Sequence, residues 1–518
     1  MGRITIFTIE DCKFCRRTKA ALTSRNIPYT EINIEIYPQK RTDMISLSDR
    51  LTVPQVFFNE KHIGGSEETL KLLSEWDDEE GETPYDRYVR LIKSQPDPTD
   101  RRLQIPEGTS SCKKIDFTTS RTQEIFKFND KEYTSLELSK MLIQNMPEDS
   151  LTYWGVMYYN CFTGSSGVTA LMKMFDLNSR DEAVKVGLRL QRKHYLSHVC
   201  GDHPFKDSDG FYFRLQAYQT PNVLNSFRVW CVKVDEKPSV VINRLSKLWS
   251  QLESTHLSED GKVDLAAIRN DDLYWKFEED ICELQNVHIK HMKEDQKKAF
   301  VINLYNLLVK YAFCKVGIAE TSADRSSFFG DVSINVGGCI YSLDDLEHGI
   351  LRANTRHPYQ LSKRFGIMDT RKTVALKSLD PRIHFSLNCG AKSCPPVVKY
   401  SAESLDTDLN LSAMAFCEDE NNVSIDEENN ELQLSKLFFW YMADFVKNKD
   451  ELPVKVAGYL RGEKKVLLNK LIEQGNVTVS FKEYDWSSNN INAIVYRQGD
   501  LKDRSISIFS KQSSEDTK

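Results

Sequence analysis

No run of apolar residues in this 518-residue chain is clean enough to serve as a bilayer span. A span needs about 20 consecutive apolar residues. The longest candidate, Ala299 to Ala319, is broken by Asn303, Asn306, Lys310 and Lys315, and so reads as a buried helix. A secretory leader is not expected either, because Met1-Gly2-Arg3 runs straight into a strand-like stretch without an apolar core or small-residue cleavage site. The Met1-Gly2 start does not continue as a myristoylation motif, since Ile6 stands where Ser or Thr is needed. Charge of one sign is also missing. Lys and Arg number 69 against 75 Asp and Glu, a net charge of −6, which leaves no whole-chain footprint for nucleic acid and only a local basic patch open. No internal repeat is present. The 12 cysteines are scattered, with two close pairs, Cys12/Cys15 and Cys389/Cys394. That excludes the disulfide framework of a small secreted scaffold; in a reducing compartment such pairs are more often catalytic or metal-binding. The expectation is a cytoplasmic protein, peripheral to a membrane at most.

What is present is ordinary globular composition, 40% hydrophobic, 28% charged and 10% aromatic, at a length that implies several domains. The first segment alternates strand and helix. Ile4–Phe7, Tyr29–Ile34, Val56–Phe58 and His62-Ile63 read as strands, and Cys12–Arg25, Gln39–Ser48 and Ser66–Trp76 as helices. This order predicts a small mixed sheet with helices on its faces. An acidic run, Asp77 to Glu82, then opens a stretch to about residue 120 that has few apolar residues and reads as a linker, flexible in places. Beyond it, Thr134-Ser135-Leu136-Glu137 and Ser179-Arg180-Asp181-Glu182 have the form of capping boxes. Tyr195–Val199 and Phe211–Phe213 read as a strand pair, and from about residue 236 the chain is largely helical.

Cys12-Lys13-Phe14-Cys15 carries the most legible chemistry. A helix start stabilises negative charge through its unpaired N–H groups and dipole, so a Cys there is favoured as thiolate. Cys12 falls where the first helix begins, and Cys15 one turn inside can attack a mixed disulfide on it. Zinc knuckles share this spacing, but no second pair follows nearby to complete a tetrahedral site.

Thr52-Val53-Pro54 before a strand and Gly64-Gly65-Ser66-Glu67 at the start of the last helix complete a resemblance to glutaredoxins over residues 1 to about 78. The resemblance implies a thioredoxin-like fold with Cys12 as nucleophile, Cys15 as resolving thiol and glutathione as cofactor. It further implies a glutathione site built from Lys13, Thr52, Val53, Pro54, Gly64, Gly65, Ser66 and Glu67. Val53 would pair its backbone with glutathione, and the Ser66 and Glu67 N–H groups would hold its γ-glutamyl carboxylate, as a helix N-terminus can. Departures from the family are Lys13 in place of Pro, Ile9 where a basic residue is usual, and Glu67-Glu68 in place of an Asp pair. The carboxylates of Glu10 and Asp11 oppose ionisation of the neighbouring thiol. A degenerate scaffold domain is the competing reading.

From Leu136 to Leu215 the chain resembles a DEP domain. The resemblance rests on Cys161-Phe162-Thr163-Gly164-Ser165, Ser179 to Val184, His198-Val199, Phe205-Lys206-Asp207 and Phe211-Tyr212-Phe213. It implies an α+β, winged-helix-like module that recruits signalling proteins or membranes and does no chemistry. Arg189, Arg192, Lys193 and His194 could meet acidic lipid or simply form a solvated helix face. Phe205 and Trp154 are expected in the core.

Residues 295 to 445 resemble the family called domain of unknown function 547. The stretches that match are Lys298 to Asn306, Asp345 to Leu351, Asp380 to Gly390 and Ser393-Cys394-Pro395-Pro396, with Leu434-Ser435-Lys436, Tyr441 and Tyr484-Asp485-Trp486 after them. The family implies no activity. Its residues Asn303, Asn306, Glu347, His348, His384, Cys389 and Cys394 form a speculative site. A thiol beside an imidazole suits acyl transfer; His384, Cys389 and Cys394 could instead ligate a metal, though none is assigned. The bland alternative is packing, with buried Asn side chains satisfying backbone groups.

The expected organisation is a glutaredoxin domain at 1–78, a linker at 79–125, a DEP domain at 126–220 and a helical lead-in at 236–290. A mainly helical α+β domain at 291–490 and a disordered tail at 505–518 complete it. The expected function is a glutathione-dependent oxidoreductase acting on protein disulfides or mixed disulfides, positioned at a signalling protein or acidic membrane surface by its DEP domain. The alternatives are a signalling adaptor with a redox-sensing or degenerate glutaredoxin domain, and a C-terminal thiol hydrolase under its control.

Overall fold

The computed structural model describes the chain except for residues 9–11, 24, 26, 35–36, 38, 79–81, 105–124, 154–155, 200–202, 231–235, 357–361, 368, 476 and 504–518. The expected disordered tail and Trp154 therefore lie outside the described residues.

The first strand, β1 (Ile4–Thr8), is buried at all five positions, the pattern of a strand covered on both faces. It pairs in parallel with β2 (Thr30–Asn33) and antiparallel with β3 (Gln55–Phe58), which turns at Asn59 into β4 (Lys61–Gly64). The sheet order is β2-β1-β3-β4. Helices α1 (Lys13–Thr23) and α3 (Ser66–Asp78) cover one face, where Leu22, Leu73 and Trp76 meet Ile4, Ile6 and Val56. On the other face α2 (Gln39–Ser48) sets Met44 against Phe7, Ile32 and Phe57.

The linker expected from residue 79 is a correction in its first half. A short helix α4 (Pro84–Tyr88), capped by Thr83, continues into a wide turn to Lys93, and Tyr88 and Ile92 join the α1/α3 core. Leu103 packs into the opposite core. Polar ties fasten the segment: Gly2 N–H donates to Gln95 O at 2.7 Å, Arg3 to Asp97 and to Leu103 O, and Lys40 to the carbonyls of Arg101 and Arg102. A handful of apolar residues at the right spacing outweighed the polar composition between them.

The second unit opens with a hairpin, β5 (Ile125–Phe128) and β6 (Lys131–Thr134), followed by α5 (Ser135–Asn145). Thr134 and Glu137 form the reciprocal cap that their spacing predicts. Strands β7 (Asp149–Tyr153) and β8 (Val156–Thr163) lead to α6 (Gly164–Phe175) and α7 (Arg180–Arg192), then to β9 (Leu196–His198) and β10 (Tyr212–Leu215). The sheet order is β7-β8-β10-β9. At Ser179 the cap is only half reciprocal: its side chain accepts from Glu182 N–H, but the Glu182 carboxylate takes the N–H of Asn178 at 3.1 Å. Phe205 is buried at the centre, and a Cβ on Gly187 would stand 2.0 Å from its ring, so only glycine lets α7 approach so closely. Of the basic cluster, Arg189 lies over the rings of Phe126 and Phe128 and donates to Lys127 O, and His194 is buried.

Helices α8 (Pro238–Thr255), α9 (Leu265–Arg269) and α10 (Asp272–Asp280) lead into the C-terminal unit, which is built round one long central helix. Helix α11 (Glu294–Lys315) is buried along most of its length, as the interrupted apolar run predicts. Lys315 at its end is paired with Glu278 at 2.6 Å, both almost fully buried. A smaller second core surrounds a three-stranded sheet of Val423–Asp426, Glu431–Leu434 and Thr478–Phe481. No helix among the described residues is long and apolar enough to cross a membrane.

Candidate functional sites

One dithiol lies in the N-terminal unit and another in the C-terminal unit. At the first, Cys12 immediately precedes α1, half-buried, and the N–H of Cys15 donates to its sulfur at 3.1 Å. That is the helix-start anion geometry, here aimed at a thiol. Cys15 is buried one turn along. Across from the thiol, Val53 O lies 3.8 Å from Cys12 Sγ, so the backbone of the Thr52-Val53-Pro54 loop faces the reacting sulfur. The Val53–Pro54 peptide is cis. Gln55 braces the loop: its amide donates to Thr52 O at 2.8 Å, and its carbonyl meets His62 Nε2 at 2.8 Å.

The other wall begins α3. Gly64 has φ +129 and a Cβ there would strike Glu68, so the position requires glycine. Gly65 N–H donates to Glu68 Oε2 at 3.0 Å, and Arg50 holds the other carboxylate oxygen at 2.7 Å. The Arg50 guanidinium, with the backbone bonds, keeps the Glu68 carboxyl below its ordinary range. Ser66 and Glu67 open the helix, and their N–H groups have no partner within it. Ser66 Oγ is buried without a hydrogen-bond partner among the described residues. Ile9, Glu10, Asp11 and the Lys13 side chain lie outside the described residues, so the expected influence of these charges on the thiol does too.

The second dithiol is assembled from distant segments. A π-helical turn from Asp345 to Leu351 buries Glu347 and His348 together, with Arg352 N–H closing it on Glu347 O at 2.8 Å. Glu347 accepts from Tyr441 at 2.6 Å and from Tyr305 at 3.2 Å. Burial pushes its carboxyl up, but His348, the Tyr441 hydroxyl and nearby cations more than offset this and leave it below its ordinary value. His384 donates its Nε2–H to the Asp444 carboxylate at 2.7 Å and stacks on Tyr441 with ring centres 3.9 Å apart. Asp444 also takes both bonds of the Arg352 fork. Despite burial, His384 and Arg352 hold the Asp444 carboxyl down at about 2. Asp344, by contrast, is pushed up to about 6 by burial, only partly relieved by Arg364.

The loop after Phe385 carries Cys389 and Cys394, whose sulfurs are 2.9 Å apart. Cys389 N–H donates to Cys394 Sγ at 3.2 Å, and the Tyr484 hydroxyl lies 3.1 Å from the same sulfur. The hydrogen bond from Cys389 brings the Cys394 thiol down to about 7, and the same contact drives Cys389 well up. Both line a cavity of about 520 Å³ with Glu347, His348, His384, Tyr441, Trp440 and Trp486.

Five of the seven residues singled out in this domain thus reach one cavity, while Asn303 and Asn306 do not line it. Asn303 exchanges two hydrogen bonds with the backbone of Tyr400, and Asn306 bonds Ser386 O and Asn388 N–H. They hold the loop that presents the cysteines. Among the described residues neither cysteine sulfur is hydrogen-bonded to an imidazole; their partners there are each other, a backbone N–H and Tyr484. No group of three or more potential ligands among the described residues is arranged to hold a metal ion. Asp344, Arg352, Asp444 and Trp440 were not singled out from the sequence, and an isolated Asp or Arg in a polar-rich stretch carries no local signal. Tyr305 and Tyr484 lie inside the stretches that match the family.

The N-terminal fold and its helix-start dithiol define a thioredoxin-type thiol–disulfide module. Residues 4–63 match the family model for glutaredoxin, residues 146–215 that for the domain found in Dishevelled, Egl-10, and Pleckstrin (DEP), and residues 289–417 that for the protein of unknown function DUF547. Glutaredoxin 3 of Escherichia coli (strain K12) is 40% identical over 72 residues, 14% of this chain and 87% of the relative. Glutaredoxin 1 of Rickettsia bellii (strain RML369-C) is 31% identical over 97 residues, 18% of this chain and 89% of the relative. The chain belongs to the glutaredoxin family through its N-terminal domain, followed by a DEP domain and a DUF547 domain.

Proposed function

We propose that this protein is a glutathione-dependent thiol–disulfide oxidoreductase, held near its substrates by the DEP domain at a signalling protein or an acidic membrane surface in the cytoplasm. The observation that carries the reading is the Cys12 sulfur receiving the Cys15 N–H at a helix start, opposite the Val53 backbone. The Cys12 thiolate attacks one sulfur of a substrate disulfide, releasing the other as a thiol and leaving a mixed disulfide. Cys15 then attacks Cys12, freeing the second substrate thiol and forming Cys12–Cys15. Two glutathione molecules return the dithiol and leave as glutathione disulfide, so two electrons pass to the substrate. The tripeptide would lie along Val53 and Pro54, with its γ-glutamyl carboxylate at the N–H groups of Ser66 and Glu67, where a helix start favours an anion. Lys13, Thr52, Gly64 and Gly65 complete that surface.

The test is reduction of a glutathione mixed disulfide by the full chain. Loss of turnover in Cys12→Ser supports the reading, and equal turnover in wild type and Cys12→Ser sinks it. Retention in Cys15→Ser indicates that one thiol suffices for the mixed-disulfide substrate. Co-sedimentation with phosphatidylserine vesicles, set against phosphatidylcholine alone, tests the membrane half of the positioning claim.

A further inference from the structure

Cys389 and Cys394 are not part of the glutaredoxin chemistry, yet they are the other close thiol pair in the chain. Their sulfurs stand 2.9 Å apart, so less than an ångström of movement joins them at disulfide length. They form part of the wall of a cavity of about 520 Å³, within the range that takes a small molecule. Trp440, Tyr484 and Trp486 are in mutual ring contact on that wall, with centres 4.8 to 5.6 Å apart. Among the described residues neither imidazole of this cavity is hydrogen-bonded to a cysteine sulfur: His384 bonds Asp444 through Nε2, and His348 accepts from Arg352 through Nδ1 at 3.1 Å.

From this geometry we infer that Cys389 and Cys394 are a second thiol–disulfide centre, which takes low-molecular-weight disulfides in the aromatic cavity of the DUF547 domain. Cys394 is the attacking sulfur, because it accepts the Cys389 N–H and, as a thiolate, would also accept from the Cys389 thiol 2.9 Å away and the Tyr484 hydroxyl 3.1 Å away. Burial pushes the Tyr484 hydroxyl up, so it remains a donor. The Cys394 thiolate bonds to one sulfur of the substrate disulfide and the other leaves as a thiolate that takes a proton. The Cys389 thiol, losing its proton to that leaving group or to water, then bonds to Cys394 and expels the remaining half of the substrate. The substrate gains two electrons and the centre becomes Cys389–Cys394. Two equivalents of a low-molecular-weight thiol restore it and leave as their own disulfide. Tyr484 touches the reacting sulfur and is a catalytic residue in this scheme.

The experiment uses the full chain carrying Cys12→Ser and Cys15→Ser, so that failure of the glutaredoxin reading cannot mimic failure of this one. Native protein is exposed to 2-hydroxyethyl disulfide, quenched by alkylation and mapped by peptide mass. The expected result is a Cys389–Cys394 cross-link that forms about tenfold faster or more than any oxidation of the buried Cys282, Cys314 or Cys417. Adding Cys389→Ser should stop the reaction at a mixed disulfide on Cys394. Tyr484→Phe, which keeps the ring and the fold, should slow the reaction severalfold and move its pH midpoint upward. The inference is overturned if both thiols stay free in native protein, if the cross-link appears only in denaturant, or if the mixed disulfide collects on Cys389 in Cys394→Ser as fast as on Cys394 in Cys389→Ser.

Discussion

The two dithiols of this chain reach similar contacts by opposite routes. Cys12 and Cys15 are three residues apart, and a single helix start supplies the N–H that meets the sulfur. Cys389 and Cys394 are five apart in a loop, and what surrounds them comes from residues 305, 347, 348, 384, 441 and 484. The first is a local device on a β1-to-α1 connection; the second exists only once the helical unit has closed. Local sites tolerate changes in distant packing, whereas assembled sites inherit every weakness of the fold that builds them.

The largest expected effect separates them outright. Cys12→Ser should remove essentially all reduction of a protein–glutathione mixed disulfide, a substrate too large for the C-terminal cavity, while alkylation rates at Cys389 and Cys394 stay as in wild type; parallel changes at both sites would mean that they are coupled.

Next in size is Lys315→Met. It leaves Glu278 buried and unpaired, at a cost of about 3–5 kcal/mol to the C-terminal unit. A stepwise melt should show that unit failing first, with the Cys12-dependent rate unchanged below the transition. A loss of both together would break the contrast between a local and an assembled site.

Acid should discriminate more gently. Asp444 is held at about 2 in the fold, below its ordinary value of 3.8. A carboxyl lowered in this way contributes its full stabilisation above its unfolded pKa and loses it as pH falls through the folded one. The cavity region should therefore weaken between about pH 4 and pH 2, seen as loss of near-UV circular dichroism from Trp440 and Trp486. In Asp444→Asn the starting stability should be lower and the pH dependence over that window flatter.

The smallest effect is expected at Arg50. Its pair with Glu68 is exposed on both sides, and such pairs contribute about 0–1 kcal/mol. Arg50→Ala should leave the melting of the glutaredoxin domain nearly unchanged, and a large loss would show that the α3 start depends on more than its own turn.

The same division governs what could be read in advance. The βαβ then ββα order, the cap at Thr134 and the buried run in α11 follow from short-range pattern, and each was legible. The segment 84–103 was not. Its polar residues read as linker, although Tyr88, Ile92 and Leu103 were enough to dock it once the sheet offered two apolar faces. In the C-terminal unit the sequence marks Glu347, His348, His384, Cys389 and Cys394 by residue type, but nothing local in it says that they meet. Asn303 and Asn306 carry the same polar signal and instead bond the backbone at Tyr400, Ser386 and Asn388.

By itself, then, the sequence determined the three-part order and the place of Cys12, because a thiol at a helix start needs only its neighbours along the chain. Tertiary structure alone decided which side chains surround Cys389 and Cys394. Tyr305, Glu347 and Tyr484 arrive from segments tens of residues apart, and no local pattern encodes a contact whose partners are brought together only by packing the core.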